Sequence, residues 1–331
     1  MSYSEESIRE PLYQQQGAPV VRKRTNYVLH VALFLITFFT TTVAGVFWLN
    51  IDGFDLKNFS YGLPYSISIL AMLAAHEFGH FFAARYHGVQ TTLPFFIPTP
   101  PFLLNPFGTM GAVIRIRSPI TSKRALFDIG VAGPFAGLVV TLAVLAYGLA
   151  TLPGIEYLHT IHPEYATMVE LPKNGLTFGD SLLTLGLRAY FSAFKFFPPM
   201  NEIYHYPFLC VAWFGLFVTA LNLIPVGQLD GGHILYAMIG KGQGTIARAF
   251  LVTLLLIGLS GFLPFVGFNV QPGTIGWLVW AAILIFIVKI DHPPIPDDTE
   301  LDQGRIMLGW ATFFIFIISF APIPFFELTR N

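Results

Sequence analysis

The chain has 331 residues, of which 54% are apolar, 16% aromatic and only 11% charged, with a net charge of −1 and a mean hydropathy of +0.63. Soluble domains carry about 25% charged residues, so this composition reads as an all-α polytopic membrane protein in contact with the lipid bilayer. The near-zero charge leaves no basic footprint for nucleic acid, and one cysteine, Cys210, excludes an internal disulfide and a cysteine-rich zinc module.

Residues 1–27 are polar and of mixed charge, with Glu5, Glu6, Arg9 and Glu10 followed by Arg22-Lys23-Arg24. They read as a disordered tail, and residues 28–326 as one membrane-embedded domain closed by a short tail at 327–331. A span needs about 20 apolar residues at 1.5 Å each. Candidate spans are 28–48, 64–86, 125–152, 206–226, 248–268, 273–290 and 305–326, giving about seven helices within a range of six to eight. The stretch 181–199 is ambiguous, because Arg188 and Lys195 within it suggest an interfacial or re-entrant helix. With seven alternating spans, Arg22 to Arg24, Arg85, Arg115, Arg117, Lys123, Arg124, Lys241, Arg248 and Lys289 share one side. That side is then cytoplasmic by the positive-inside tendency. The reading is a multi-pass protein, of a bacterial plasma membrane, with its N-terminus in the cytoplasm. No internal repeat is present.

In the second span stands His76-Glu77-Phe78-Gly79-His80. On a helix this HExxH spacing places two imidazoles on one face, one turn apart. They can hold Zn²⁺ while the intervening Glu77 serves as general base. Ionisable groups within a span are costly and point to function. Two histidines leave a catalytic zinc site short of a ligand. Asp230, in Asn222-Leu223-Ile224-Pro225-Val226-Gly227-Gln228-Leu229-Asp230-Gly231-Gly232, is the candidate third ligand. Read by itself, it is either that or a helix-terminal Asp beside a glycine turn.

Between the two motifs, residues 93–106 hold five prolines, which forbid a continuous helix. Ala112-Val113-Ile114-Arg115-Ile116-Arg117 then alternates in part, with Ile114 and Ile116 on one face. This predicts a short membrane-associated β-hairpin near the site, either structural or offering an edge to an unwound substrate. Asn222 either donates to a developing oxyanion or makes an interhelical hydrogen bond. His87 and His233 lie close enough in sequence to sit behind the metal ligands. His30, His205 and His292 read as interfacial, and His159 and His162 as solvated loop residues.

HEFGH followed by NLIPVGQLDGG resembles the site-2 protease family of intramembrane zinc metalloproteases, over roughly residues 64–240. Ala132-Gly133-Pro134-Phe135-Ala136-Gly137 matches the Gly-Pro-rich helix of that family's three-helix catalytic core. The resemblance implies one Zn²⁺ per chain, held by His76, His80 and Asp230, with Glu77 as catalytic base. The implied substrates are single-pass membrane proteins cut in or near the bilayer. Leu93-Pro94-Phe95-Phe96-Ile97-Pro98 and Phe107-Gly108-Thr109-Met110-Gly111-Ala112 place the likeness in the branch of the plant chloroplast proteases and their bacterial relatives. No stretch has the size of a PDZ or paired CBS domain. Three other readings compete: a membrane zinc transporter; a prenyl-processing membrane zinc protease, whose third ligand is a Glu on a later helix; and a non-catalytic family member, which would have lost part of the set His76, Glu77, His80 and Asp230 that is present here.

Overall fold

The computed structural model describes residues 26–101, 105–267, 275–297 and 299–328; the disordered tail expected over 1–27 lies almost wholly outside them. Four stretches are long and apolar enough to cross a membrane: Tyr27–Phe47, Leu56–Tyr86, Lys123–Ala150 and Asp230–Ser260. Three shorter apolar helices occupy Pro207–Asn222, Gly276–Val288 and Gln303–Ser319.

Helix α1 (Tyr27–Phe47) starts where the Asn26 side chain accepts from the Leu29 amide. Its inner face carries Thr37, Thr41 and Thr42, all buried. Thr37, Thr41 and Thr42 return their hydroxyl protons to carbonyls one turn back, so polar residues pass through the bundle without unmet donors. A 3₁₀ turn, Leu56–Gly62, leads into α2 (Leu63–Tyr86), with Pro64 in the first turn, where a missing N–H is harmless. Helix α3 (Lys123–Ala150) is capped by Ser122. It packs against α2, against α6 (Pro207–Asn222) and against α7 (Asp230–Ile239). These four elements form the interior. Their outward residues, among them Ile67, Phe82, Val139 and Leu142, are exposed, as lipid-facing side chains must be.

The close approach of α2 to α3 depends on two glycines. A Cβ on Gly79 would lie 2.4 Å from the Ala132 carbonyl oxygen, and one on Gly133 would lie 2.1 Å from His80 Nε2. The small-residue run expected to mark tight helix packing therefore also leaves room for the His80 ring.

Helix α4 (Ile155–Ile161) and α5 (Leu182–Ser192) are short. At 11 residues, α5 spans about 16 Å, so the ambiguous stretch 181–199 does not contain a full-length span. The region 227–247, expected as a connection, instead contains α7. A turn at Gly240, φ +58°, separates it from α8 (Gln243–Ser260). Helix α9 (Gly276–Ile283) runs into a π-helical turn, Leu284–Val288, and α10 (Gln303–Ser319) stops short of the 326 expected.

The predicted hairpin is present, three residues earlier than expected. Strands β1 (Phe95–Pro98) and β2 (Thr109–Val113) pair antiparallel, Phe95 opposite Val113, with an irregularity between Phe96 and Pro98. Extended backbone continues past β2, and Ile116 bridges to Thr91. The alternating isoleucines marked the extended chain, whereas the ladder formed on the Thr-Met-Gly-Ala-Val run before them. Thr40 Oγ1 donates to the Gly108 carbonyl, 2.7 Å, and fastens the hairpin to α1.

A second sheet had no sequence signal. Strand β3 (Gly175–Phe178) pairs antiparallel with β4 (Phe325–Leu328), Gly175 opposite Leu328. Glu327 and Leu328, expected in a short tail, are therefore part of a sheet. Trp48, Phe178, Trp213 and Phe325 pack edge and face around it, which seals this end of the bundle.

Candidate metal centre and active site

His76 and His80 follow each other by one turn of α2, and their Nε2 atoms lie 3.0 Å apart. Asp230, the first residue of α7, brings Oδ2 to 3.4 Å from His76 Nε2 and 3.3 Å from His80 Nε2. Both imidazoles are buried and Asp230 is nearly so. Three separations of 3.0–3.4 Å match the edge of a tetrahedron with ~2.0–2.1 Å bonds, about 3.3–3.4 Å.

The donor chemistry fits a cation equally well. His80 Nδ1 lies 2.7 Å from the Ile129 carbonyl oxygen, so Nδ1–H donates there and Nε2 presents a lone pair to Asp230 and His76. Anchoring the remote ring nitrogen in this way is how proteins fix a metal-binding tautomer. Two imidazole nitrogens facing at 3.0 Å beside a carboxylate suit a Zn²⁺ ion, and the residues present fit it.

Asp230 is held by the loop before it. Gly227 has φ +54°, and a Cβ there would lie 1.8 Å from the Lys289 carbonyl oxygen. Its amide donates to Ile290 O, 3.0 Å. Buried Gln243 ties the same loop from below, with Nε2 donating to Pro225 O at 3.3 Å and Ile290 O at 3.2 Å. The LDGG segment thus turns against 289–290 and delivers a carboxylate to α2.

Glu77 is buried beside the cluster, with the Ile114 backbone amide within hydrogen-bonding reach of its carboxylate. Asn222, at the end of α6, places Nδ2 3.4 Å from His76 Nε2. The structure thus brings Asn222 and Ile114 to the site. Ile116 is exposed, on the extended chain beyond.

The matching family model covers residues 64–261 and is that of Peptidase family M50. The chain belongs to this family. This M50 member is 30% identical over 273 residues to "Probable zinc metalloprotease EGY1, chloroplastic" of Oryza sativa subsp. japonica, covering 80% of the chain and 41% of that relative. It is 27% identical over 298 residues to the Arabidopsis thaliana "Probable zinc metalloprotease EGY2, chloroplastic", covering 88% of the chain and 48% of the relative. It is 26% identical over 309 residues to the Arabidopsis "Probable zinc metallopeptidase EGY3, chloroplastic", 90% of the chain and 49% of the relative. The M50 chain spans less than half the length of these curated relatives.

Other histidines depart from their sequence readings. His87 contacts Asp128 instead of the metal cluster, with Nε2 2.8 Å from Oδ2, and Arg305 grips the same carboxylate through Nε and a terminal nitrogen at 2.8 and 2.7 Å. His233 Nδ1 pairs with His292 Nε2 at 2.8 Å. His30 is buried under the Pro94 carbonyl. His205 is buried against His162, with Glu202 beside them; neither histidine is simply interfacial or solvated. Residues missed altogether are Ile129, a bare carbonyl with no sequence signal, and Glu202, a carboxylate in a polar connection.

Proposed function

We propose that this M50 member is an intramembrane zinc metalloprotease that hydrolyses peptide bonds in or near transmembrane segments of single-pass membrane proteins. The observation that carries the reading is the convergence of His76, His80 and Asp230 beside buried Glu77, on helices apolar enough to cross a membrane. A bound zinc supplies an acidified water, pKa near ~7, and polarises the substrate carbonyl.

Within the chain's own residues, Glu77 accepts the proton of the attacking water and passes it to the leaving amine nitrogen. Asn222 Nδ2, 3.4 Å from His76 Nε2, would donate to the oxygen that becomes charged as the carbonyl is attacked. A transmembrane helix conceals its own peptide bonds. The extended backbone from β2 through Ile114, beside Glu77, supports a reading in which an unwound substrate strand adds to this edge and exposes one bond.

Seven spans with the N-terminal end in the cytoplasm fit the pairing of β3 with β4. That pairing brings the connection after α3 and the segment after α10 to one end of the bundle, as seven alternating spans require.

Of the competing readings, prenyl processing calls for a Glu as third ligand, whereas the carboxylate beside the two histidines is that of Asp230. Transport has no use for a carboxylate between the two histidines. Proteoliposomes carrying a panel of single-pass proteins provide the test, with cleavage sites read by mass spectrometry. Cuts within or at the edge of the apolar segment are expected. Zinc uptake without any cleavage, undiminished in Glu77→Gln, would replace the protease by a transporter.

A further inference from the structure

A second cluster of metal-binding side chains lies at the other end of the bundle. His205 closes a 3₁₀ turn, Ile203–His205, and its Nδ1 is 2.5 Å from the Trp48 carbonyl oxygen, just past the end of α1. Trp48 lies near the start of α2, so about 15–20 Å of helix separates this cluster from His76. His205 Nδ1–H therefore donates to Trp48, and Nε2 carries a lone pair. That Nε2 is 3.1 Å from His162 Nε2. His162 in turn sets Nδ1 3.3 Å from Glu164 Oε1, which leaves its Nε2 a lone pair as well. With both remote ring nitrogens anchored in this way, the two Nε2 atoms face each other, and a cation between them would take both lone pairs.

The third donor is Glu202, 2% exposed. Its Oε1 accepts from the Tyr165 hydroxyl at 3.0 Å and from Asn201 Nδ2 at 3.1 Å. Its Oε2 is buried without a hydrogen-bond partner, 3.5 Å from His205 Nε2 and 3.9 Å from His162 Nε2. A buried carboxylate oxygen left bare is destabilising. Here it points at the two lone pairs.

We propose that His162, Glu202 and His205 form a second metal site, which holds one zinc ion and ties the 153–167 segment to the end of α1. Two imidazole nitrogens and one carboxylate oxygen suit a borderline first-row divalent ion better than Mg²⁺ or Ca²⁺, which take oxygen ligands. Separations of 3.1–3.9 Å bracket the tetrahedral edge of about 3.3–3.4 Å. Trp48 O, Glu164, Tyr165 and Asn201 provide the outer hydrogen bonds that orient such ligands. His162 is the accessible member, with 19% of its side chain exposed, and gives the ion a way in. The site is independent of the proteolytic reading, since it shares no residue with the first cluster.

The test is zinc content of the purified full-length protein in detergent, measured by elemental mass spectrometry after equilibration with buffered Zn²⁺. The wild type is expected to hold two equivalents, His80→Ala one, His162→Ala one, and the double variant none. His162 is at the rim, so its loss should leave the fold intact, as circular dichroism would show. Tyr165→Phe, which keeps all three ligands, is expected to weaken the second equivalent roughly 10–100-fold in a chelator competition. One equivalent in the wild type, lost in His80→Ala and unchanged in His162→Ala, would overturn the proposal. The pair would then share a proton.

Discussion

The two three-donor clusters, His76–His80–Asp230 and His162–Glu202–His205, use the same kinds of atoms and arrive by different routes. The first sets two ligands one turn apart on a long helix and adds the third through a glycine-broken loop. Its place is a helix, α2, already packed against α1, α3 and α6. The second gathers its ligands from a short 3₁₀ turn and a polar connection, its two histidines 43 residues apart, and leans on the Trp48 carbonyl just past the end of α1. The first has the Glu77 carboxylate and the Asn222 amide next to it, which fits a reaction. The second has a tyrosine and an asparagine that only hold the carboxylate still, which fits a tether. Donor atoms alone thus do not distinguish chemistry from architecture; their neighbours do.

Substitutions can separate the two clusters. The largest effect is expected from Gly133→Leu, because even a Cβ at that position meets His80 Nε2. The variant should lose the zinc of the first cluster and all cleavage while keeping that of the second, both read from metal content. Asn222→Ala should leave zinc in place and lower kcat by roughly 10²–10³-fold, the usual effect of losing an oxyanion donor; an unchanged kcat would reduce Asn222 to an interhelical contact. Gln243→Ala removes the buried amide that ties Pro225 and Ile290. It should destabilise the protein by about 1–3 kcal/mol and weaken zinc at the first cluster only, measured by thermal unfolding and chelator competition. The smallest effect is expected from Arg305→Ala. Its pair with Asp128 is partly open to solvent, so a loss of ~1 kcal/mol or less should leave both metals and cleavage near wild type.

The sequence exposed the first cluster because its geometry is local. HExxH fixes two ligands by helical period alone, and Asp230 stood out as a carboxylate between an apolar helix and a glycine pair. Helices α1, α2 and α3 were legible within two residues at each end, since long apolar runs carry their own boundaries. Helix α7 was hidden because Gly231 and Gly232 read as a turn, whereas the loop before them needs small residues where it folds back on itself. The β3–β4 sheet joins residues about 150 apart in the chain, and nothing in Gly175–Phe178 announces its partner. His162 and His205 were invisible as a pair for the same reason. A histidine in a polar loop looks solvated until the chain folds it onto another.

The claim that most needs testing is that Glu77 performs proton transfer at a zinc held by His76, His80 and Asp230. The direct measurement compares cleavage of one single-pass substrate in proteoliposomes by wild type and Glu77→Gln, matched for zinc content. Equal zinc and a rate lower by at least about 10²–10⁴-fold are expected in the variant. Equal zinc with an equal rate would contradict the claim.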